Sequence, residues 1–241
     1  MRLSDKVVLY SAFLWLCGFS ATAAADVRLG STRVLLQQER ERTLLVSNAG
    51  QRAELIQAWI DDGQLQADPS HMAVPFVIPR PVFRLDADKS YGMRIVVMDS
   101  ASLAADRESM YYINVLAIPQ REDPGEQDVQ LAIRSRIKLF YRPAGLSGQA
   151  AQAPASLHWR LIEQQGARRL RVDNPTPWHV NLAKALALPG NSEEIDTGDG
   201  VVAPFSSIEL PVPDALKIDG VAFTWIDDYG AIREHTSRID H

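Results

Sequence analysis

A chain of 241 residues, 46% hydrophobic and 23% charged, has the apolar content of a globular protein with a sizeable core, so disorder is excluded. A formal net charge of −5 argues against a general nucleic-acid binder, although it leaves room for a local basic patch.

The first segment reads as an export signal. Met1-Arg2 through Lys6 are basic, Val7 to Phe19 are mostly apolar, and Ala23-Ala24-Ala25 forms an A-x-A cleavage site. Cleavage is expected after Ala25, which removes residues 1–25 and starts the mature chain at Asp26. The apolar run falls short of the ~20 residues of a membrane span, so no membrane insertion is expected. Cys17 is the one cysteine in the sequence and lies inside this segment. Trp15 and Leu16 precede it where a lipidation site would want small residues. The mature chain is then exported without a disulfide, and each domain must be held by its own core.

Strand signals follow in order: 41–50, ending in the turn Asn48-Ala49-Gly50; 53–61, at hairpin distance; then 93–99 and 111–119. Next comes the longest, "VQLAIRSRIKLFYRP", Val129 to Pro143. Its odd positions are Val129, Leu131, Ile133, Ser135, Ile137, Leu139 and Tyr141, and its even positions include Arg134, Arg136, Lys138 and Arg142. This period-2 alternation predicts a half-buried strand much longer than the usual ~5–6 residues. Residues 144–156 shift to Ala, Gly, Gln and Ser and read as a junction. Strands resume at 157–163, 167–174, 179–188, 207–213 and 220–228. The windows around 100–109 and 185–194 hold at most a helical turn each. His235 and His241 lie in a polar C-terminal tail, read as solvated. Short strands between turn signals on both sides of the junction predict an all-β chain of two β-sandwich domains, 26–143 and 144–241.

Catalytic patterns are absent. The sequence has no G-x-S-x-G elbow, no H-E-x-x-H, and no histidines at metal-ligand spacing among His71, His158, His179, His235 and His241. No enzyme activity, metal or cofactor is expected. An exported pair of sandwiches without a catalytic constellation reads as a binding or assembly protein.

Five stretches read together sharpen this. They are "LGSTRVLL" (29–36), "LAADRESMYYINVLAIP" (103–119), "RSRIKLFYRP" (134–143), and the pair "NPTPWHVNL" (174–182) and "IDDYGA" (226–231). In this order they resemble the periplasmic chaperones of the chaperone/usher pathway that assemble pili, over nearly the whole mature chain. The short Asp123-Pro124-Gly125 segment resembles the subclass with a short loop before the long strand. The resemblance implies a boomerang of two immunoglobulin-like β-sandwich domains with a cleft between them, pilus or fimbrial subunits and an outer-membrane usher as partners, and a periplasmic location. It leaves open whether the free chain self-associates over its donor strand.

The resemblance also assigns residues. Val129, Leu131 and Ile133 match the alternating residues of a donor strand, lent to a subunit that lacks its last strand. Burying each fully contributes roughly 1.5–3 kcal/mol. Arg33 and Lys138 match a basic pair that anchors the subunit's C-terminal carboxylate; by residue type alone they are ordinary solvated strand charges. Glu108, Arg142 and Asp228 match a buried charge network joining the domains. Arg134 and Arg136 are read as solvent-facing charges that discourage unwanted edge pairing. Arg80-Pro81 sits where the family has a Pro-rich turn in which a cis bond is possible. Trp178-His179 is expected to affect, if anything, the second domain's face towards the subunit. The competing assignment is a structural fimbrial or adhesin component with two sandwich domains. It is weakened because Asp26 to Arg33 is too short an extension to donate a strand in turn.

Overall fold

A computed structural model describes residues 26–65, 72–120, 131–164, 166–189, 193–213 and 215–240. The expected cleavage site, the 123–125 segment, Val129, His71 and His241 lie outside the described residues.

Alternation builds the first sandwich. In β4 (Glu54–Asp61), Ile56, Ala58 and Ile60 point inward while Leu55, Gln57 and Trp59 point out, the period-2 geometry of a pleated strand. β1 (Val27–Leu29), β3 (Glu41–Asn48), β7 (Ser90–Val97) and β5 (Phe76–Val77) form one sheet in the order β1-β3-β7-β5. The facing sheet runs β2-β9-β8-β4-β6, with β2 (Arg33–Gln37), β9 (Ile133–Arg142), β8 (Ser109–Pro119) and β6 (Val82–Leu85). Leu36, Val46, Ile56, Met93, Ile95, Ile113 and Leu139 are sealed between them.

The first strand changes sheets. β1 pairs with β3, residues 30–32 cross the sandwich, and β2 then pairs in parallel with the last strand, β9. The first two strong strand signals also part company, since β3 and β4 belong to opposite sheets rather than to a hairpin. The short turn after Asn48 swings the chain across the core, which a hairpin spacing does not reveal.

The second unit follows the path β13-β12-β16-β17-β10-β11-β15, with β14 also on β12. Its strands are β10 (His158–Gln164), β11 (Ala167–Asn174), β12 (Val180–Leu188), β13 (Glu194–Ile195), β14 (Val201–Val202), β15 (Ser206–Pro211), β16 (Gly220–Ile226) and β17 (Ile232–Asp240). β17 meets β10 only at Trp159↔Ile239 and Arg160↔Asp240, so the path folds over at that point. A separate core fills it, centred on Trp159 against Phe223, ring centroids 5.1 Å apart, with Leu170, Val172 and Val221. Residues 100–109 and 185–189 carry no helix. The helical segment among the described residues is a 3-10 stretch, Ala150–Ser156, inside the expected junction. His235 belongs to β17, edge-on to Phe223, rather than to a solvated tail. The cis peptide among the described residues is Leu188-Pro189, not Arg80-Pro81.

Candidate functional site

β9 begins at Ile133, so the described strand is ten residues long and Leu131 lies ahead of it. Its two edges differ. β8 pairs along it from Ile133 to Tyr141, whereas β2 covers only Lys138 to Arg142. The edge of Ile133–Ile137 on the β2 side therefore has no partner among the described residues. Beside it Ile133 is 39% and Leu131 72% exposed, large apolar side chains left in water next to open backbone groups.

Arg33 stands where β2 stops, in register with Lys138. Arg33 is buried, yet its Nη1 donates only to the Ile226 carbonyl (3.1 Å) and its Nε has no partner. Burial pulls its guanidinium below the ordinary arginine value, and the charges of Asp228, Asp227 and Glu108 oppose this without bonding to it. Lys138 Nζ donates to Asn181 Oδ1 (2.5 Å) on the second sandwich. Desolvation first, and Arg33 second, lower its ammonium from 10.5 to about 8, against the pull of Asp199. Two adjacent, poorly solvated cations without a bonded carboxylate are costly to keep, and an incoming anion would relieve both. Neither is an ordinary solvated strand charge.

Further along β9, charges are satisfied. Arg142 Nε donates to Glu108 Oε1 (2.6 Å), and its Nη1 and Nη2 bond both oxygens of Asp228, each at 2.7 Å. Burial alone would depress this guanidinium; the bonds and charges of Asp228 and Glu108 reverse that and hold it above the ordinary value. His179 and Trp178 complete the cluster. Glu108 Oε2 accepts from the His179 backbone N–H and from Nδ1, both at 2.9 Å, and a carboxylate only accepts, so Nδ1 carries the proton. Trp178 lies 5.0 Å from the Arg142 guanidinium and donates its indole N–H to Ser147 (3.0 Å). These two residues face the domain junction, not an outer face. Sequence inspection saw an unusual pair here but could not see that the turn before β12 carries it to Glu108. Gly230, at φ +84°, lets the second domain approach: a Cβ there would sit 2.6 Å from Thr32 Oγ1.

Arg134, exposed, and Arg136, half-buried, face solvent as expected but are tied down there. Their side chains lie on the outer face of the first sandwich, above a fully buried carboxylate, Asp61. Arg136 donates from Nε (3.2 Å) and Nη2 (2.5 Å) to Asp61 and lies 3.5 Å from the Tyr112 ring centre. Arg134 clasps Asn114 Oδ1 through Nε (2.9 Å) and Nη2 (2.6 Å), and Asn114 in turn donates to Asp61 (2.6 Å). Burial pushes the Asp61 carboxyl up, but Arg136, Asn114 and the Gly63 N–H outweigh it and hold it below the usual range. In the sequence Asp61 is the first of two consecutive aspartates at the end of β4. Only its register across β8 from Lys138, two residues along β9 from Arg136, gives it this role.

Known proteins resemble the chain over most of its length. Residues 26–147 match the family model described as pili and flagellar-assembly chaperone, PapD N-terminal domain, and residues 152–237 match the pili assembly chaperone PapD, C-terminal domain. The chain is 34% identical over 254 residues to the probable fimbrial chaperone YadV of Escherichia coli K12, covering 99% of this chain and 100% of that one. It is 38% identical over 230 residues to the chaperone protein FimB/FhaD of Bordetella pertussis, covering 93% and 92%. A chain of the Salmonella enterica SafA pilin–SafB chaperone complex superimposes with a TM-score of 0.76 at 28% identity, over 91% of this chain and 99% of that one. The chain belongs to the family of pili assembly chaperones.

Proposed function

We propose that this chain is a periplasmic chaperone, exported by cleavage after Ala25, that lends β9 to pilus or fimbrial subunits and passes them to an outer-membrane usher. A subunit missing its last strand would pair with the open edge of Ile133–Ile137, while Val129, Leu131 and Ile133 fill its apolar groove. The carboxylate ending the subunit would seat between Arg33 and Lys138 and set the register, because a one-residue slip turns every apolar side chain to the wrong side. Each charge-assisted bond to it contributes about 1.5–3 kcal/mol. Glu108, Arg142 and Asp228, with His179, would hold the angle between the domains so that this seat keeps its shape. The role is one of holding and transfer, with no covalent bond made or broken.

One observation carries this reading: a buried arginine and a half-buried lysine, neither bonded to a carboxylate, stand side by side at the end of a bare strand edge. The test is recovery of the tagged chain from the periplasm. Wild type is expected to bring down a small exported partner in stoichiometric amount, and Arg33→Ala or Lys138→Ala to lose it while remaining folded. Undiminished recovery by both variants would overturn the anchor.

A further inference from the structure

The outer face of β9 carries more positive charge than the fold uses. Arg134, Arg136 and Lys138 alternate along it, and Asp61 is the one carboxylate bonded to this strip among the described residues, since Asn114 is neutral. The strip is therefore net positive on a chain whose formal charge is −5. Its two guanidiniums are also held in place before any partner arrives. Arg136 is fixed by two bonds to Asp61 and by the Tyr112 ring; Arg134 is fixed by Asn114 Oδ1, by the Leu65 carbonyl (3.2 Å) and by Trp59, 5.0 Å away. Folding has already met the rotamer entropy of both side chains, so a partner that meets them binds to a preorganised surface. Arg136 Nη1 still has no acceptor among the described residues. Both residues lie within the stretch of β9 whose edge is bare, with their guanidiniums leaning over β8 towards β4.

A strand added at that edge places its own outward side chains about 4.5–5.5 Å from those of β9, close enough for charges to decide the pairing. The apolar side of such a strand faces the same way as Leu131 and Ile133, so its other side lies on the face that carries Arg134 and Arg136, within the field of their charges. The Arg33–Lys138 seat cannot discriminate here, because every polypeptide ends in a carboxylate. Side chains on the outward side do differ between polypeptides. We propose that Arg134 and Arg136, positioned by Asn114 and Asp61, form a charge filter that admits partner strands with acidic side chains opposite the apolar ones and rejects strands with Lys or Arg there. This rests on the reading that β9 lends its edge.

Three synthetic peptides ending in a free carboxylate, apolar at alternate positions, test it. The intervening positions carry Ser throughout, or Ser with two Glu, or Ser with two Lys. Titrated into the purified mature chain at low salt, the Glu peptide is expected to bind at least about tenfold more tightly than the Lys peptide, with the Ser peptide between. The gap should shrink at ~0.5 M salt, because these part-exposed charges are then screened. Arg134→Gln leaves the Arg136–Asp61 bonds intact and is expected to narrow the gap while Ser-peptide affinity stays unchanged, a result that a merely structural role for Arg134 would not produce. Equal affinity for Glu and Lys peptides overturns the filter and leaves strand lending standing. Failure of all three to bind overturns strand lending, and the filter with it.

Discussion

β9 and β17 are the last strands of their sandwiches, and each leaves part of one edge unpaired. Among the described residues, β9 is bare on one side over Ile133–Ile137, and β17 meets β10 only at its final residues, leaving Ile232 to Arg238 without a strand on that side. The side chains at the two edges differ. β9 brings Leu131 and Ile133 to its open end, while the open part of β17 is Arg233, Glu234, His235, Thr236, Ser237 and Arg238, with Ile232 alone as a large apolar residue. Charge on an edge strand defends it against pairing, and exposed apolar side chains beside open backbone groups invite it. An open edge is thus not in itself a binding site. The flanking residues make one edge receptive and the other closed, within a single chain.

β9 also divides along its length in a way that β17 does not. Its first half faces the open edge, and its second half docks the other domain, with Phe140 tilted against His179 at 5.7 Å and Arg142 between Glu108 and Asp228. Breaking that second half should have the largest effect. Arg142→Ala leaves Glu108 buried without its cation and is expected to destabilise the chain by about 3–5 kcal/mol in denaturant unfolding. Arg238→Ala, exposed on β17, should change stability by no more than about 0.5 kcal/mol. Equal, small effects would remove Arg142 from any structural role.

The next effect falls on the open half. Ile133→Glu puts a charge where an apolar contact is expected and should weaken partner capture about a hundredfold, from the lost burial of one aliphatic side chain plus the cost of desolvating a carboxylate. Ile133 is already partly exposed, so the melting temperature should hardly move. Thr236→Glu, the matched change on β17, should alter neither quantity. Capture that survives Ile133→Glu would mean the partner does not use this edge.

Much of this architecture was legible because alternation reports which way a strand faces. The strands at 41–48, 54–61, 90–97, 109–119 and 158–188 all show it, and the two cores follow. What escaped was relational. Arg134 and Arg136 look like surface charges until the register of β8 and β4 brings Asn114 and Asp61 beneath them. His179 looks like an unremarkable histidine until its turn meets Glu108 across the junction. β17 was missed because an edge strand protected by charge has no apolar alternation, the very property that separates it from β9.

The smallest effect, and the most specific, concerns Lys138. Its ammonium titrates at about 8 in the free chain because burial and Arg33 disfavour the charge. Capture of a carboxylate needs the charged form, so affinity should hold up to about pH 7 and fall roughly tenfold between pH 7 and 9 as the proton is lost. Folding stability should move the other way. The unfolded lysine keeps its proton up to its ordinary value of 10.5, so between pH 8 and 10.5 the unfolded state holds more protons and the free chain gains stability as pH rises. Below pH 8 both states are protonated and the desolvation cost is present in full. Lys138→Met removes that cost at neutral pH, and relieving such a buried charge stabilises a fold by about 1 kcal/mol or more. The variant should therefore melt higher than wild type at pH 7, lose that advantage by pH 10.5, and capture nothing at either. Wild-type affinity and stability rising together with pH would show that Lys138 does not hold the carboxylate. Opposite slopes that vanish together in Lys138→Met would mean that the chain accepts a less stable free state in exchange for a charged seat midway along β9, where its bare edge ends and where β17 has no counterpart.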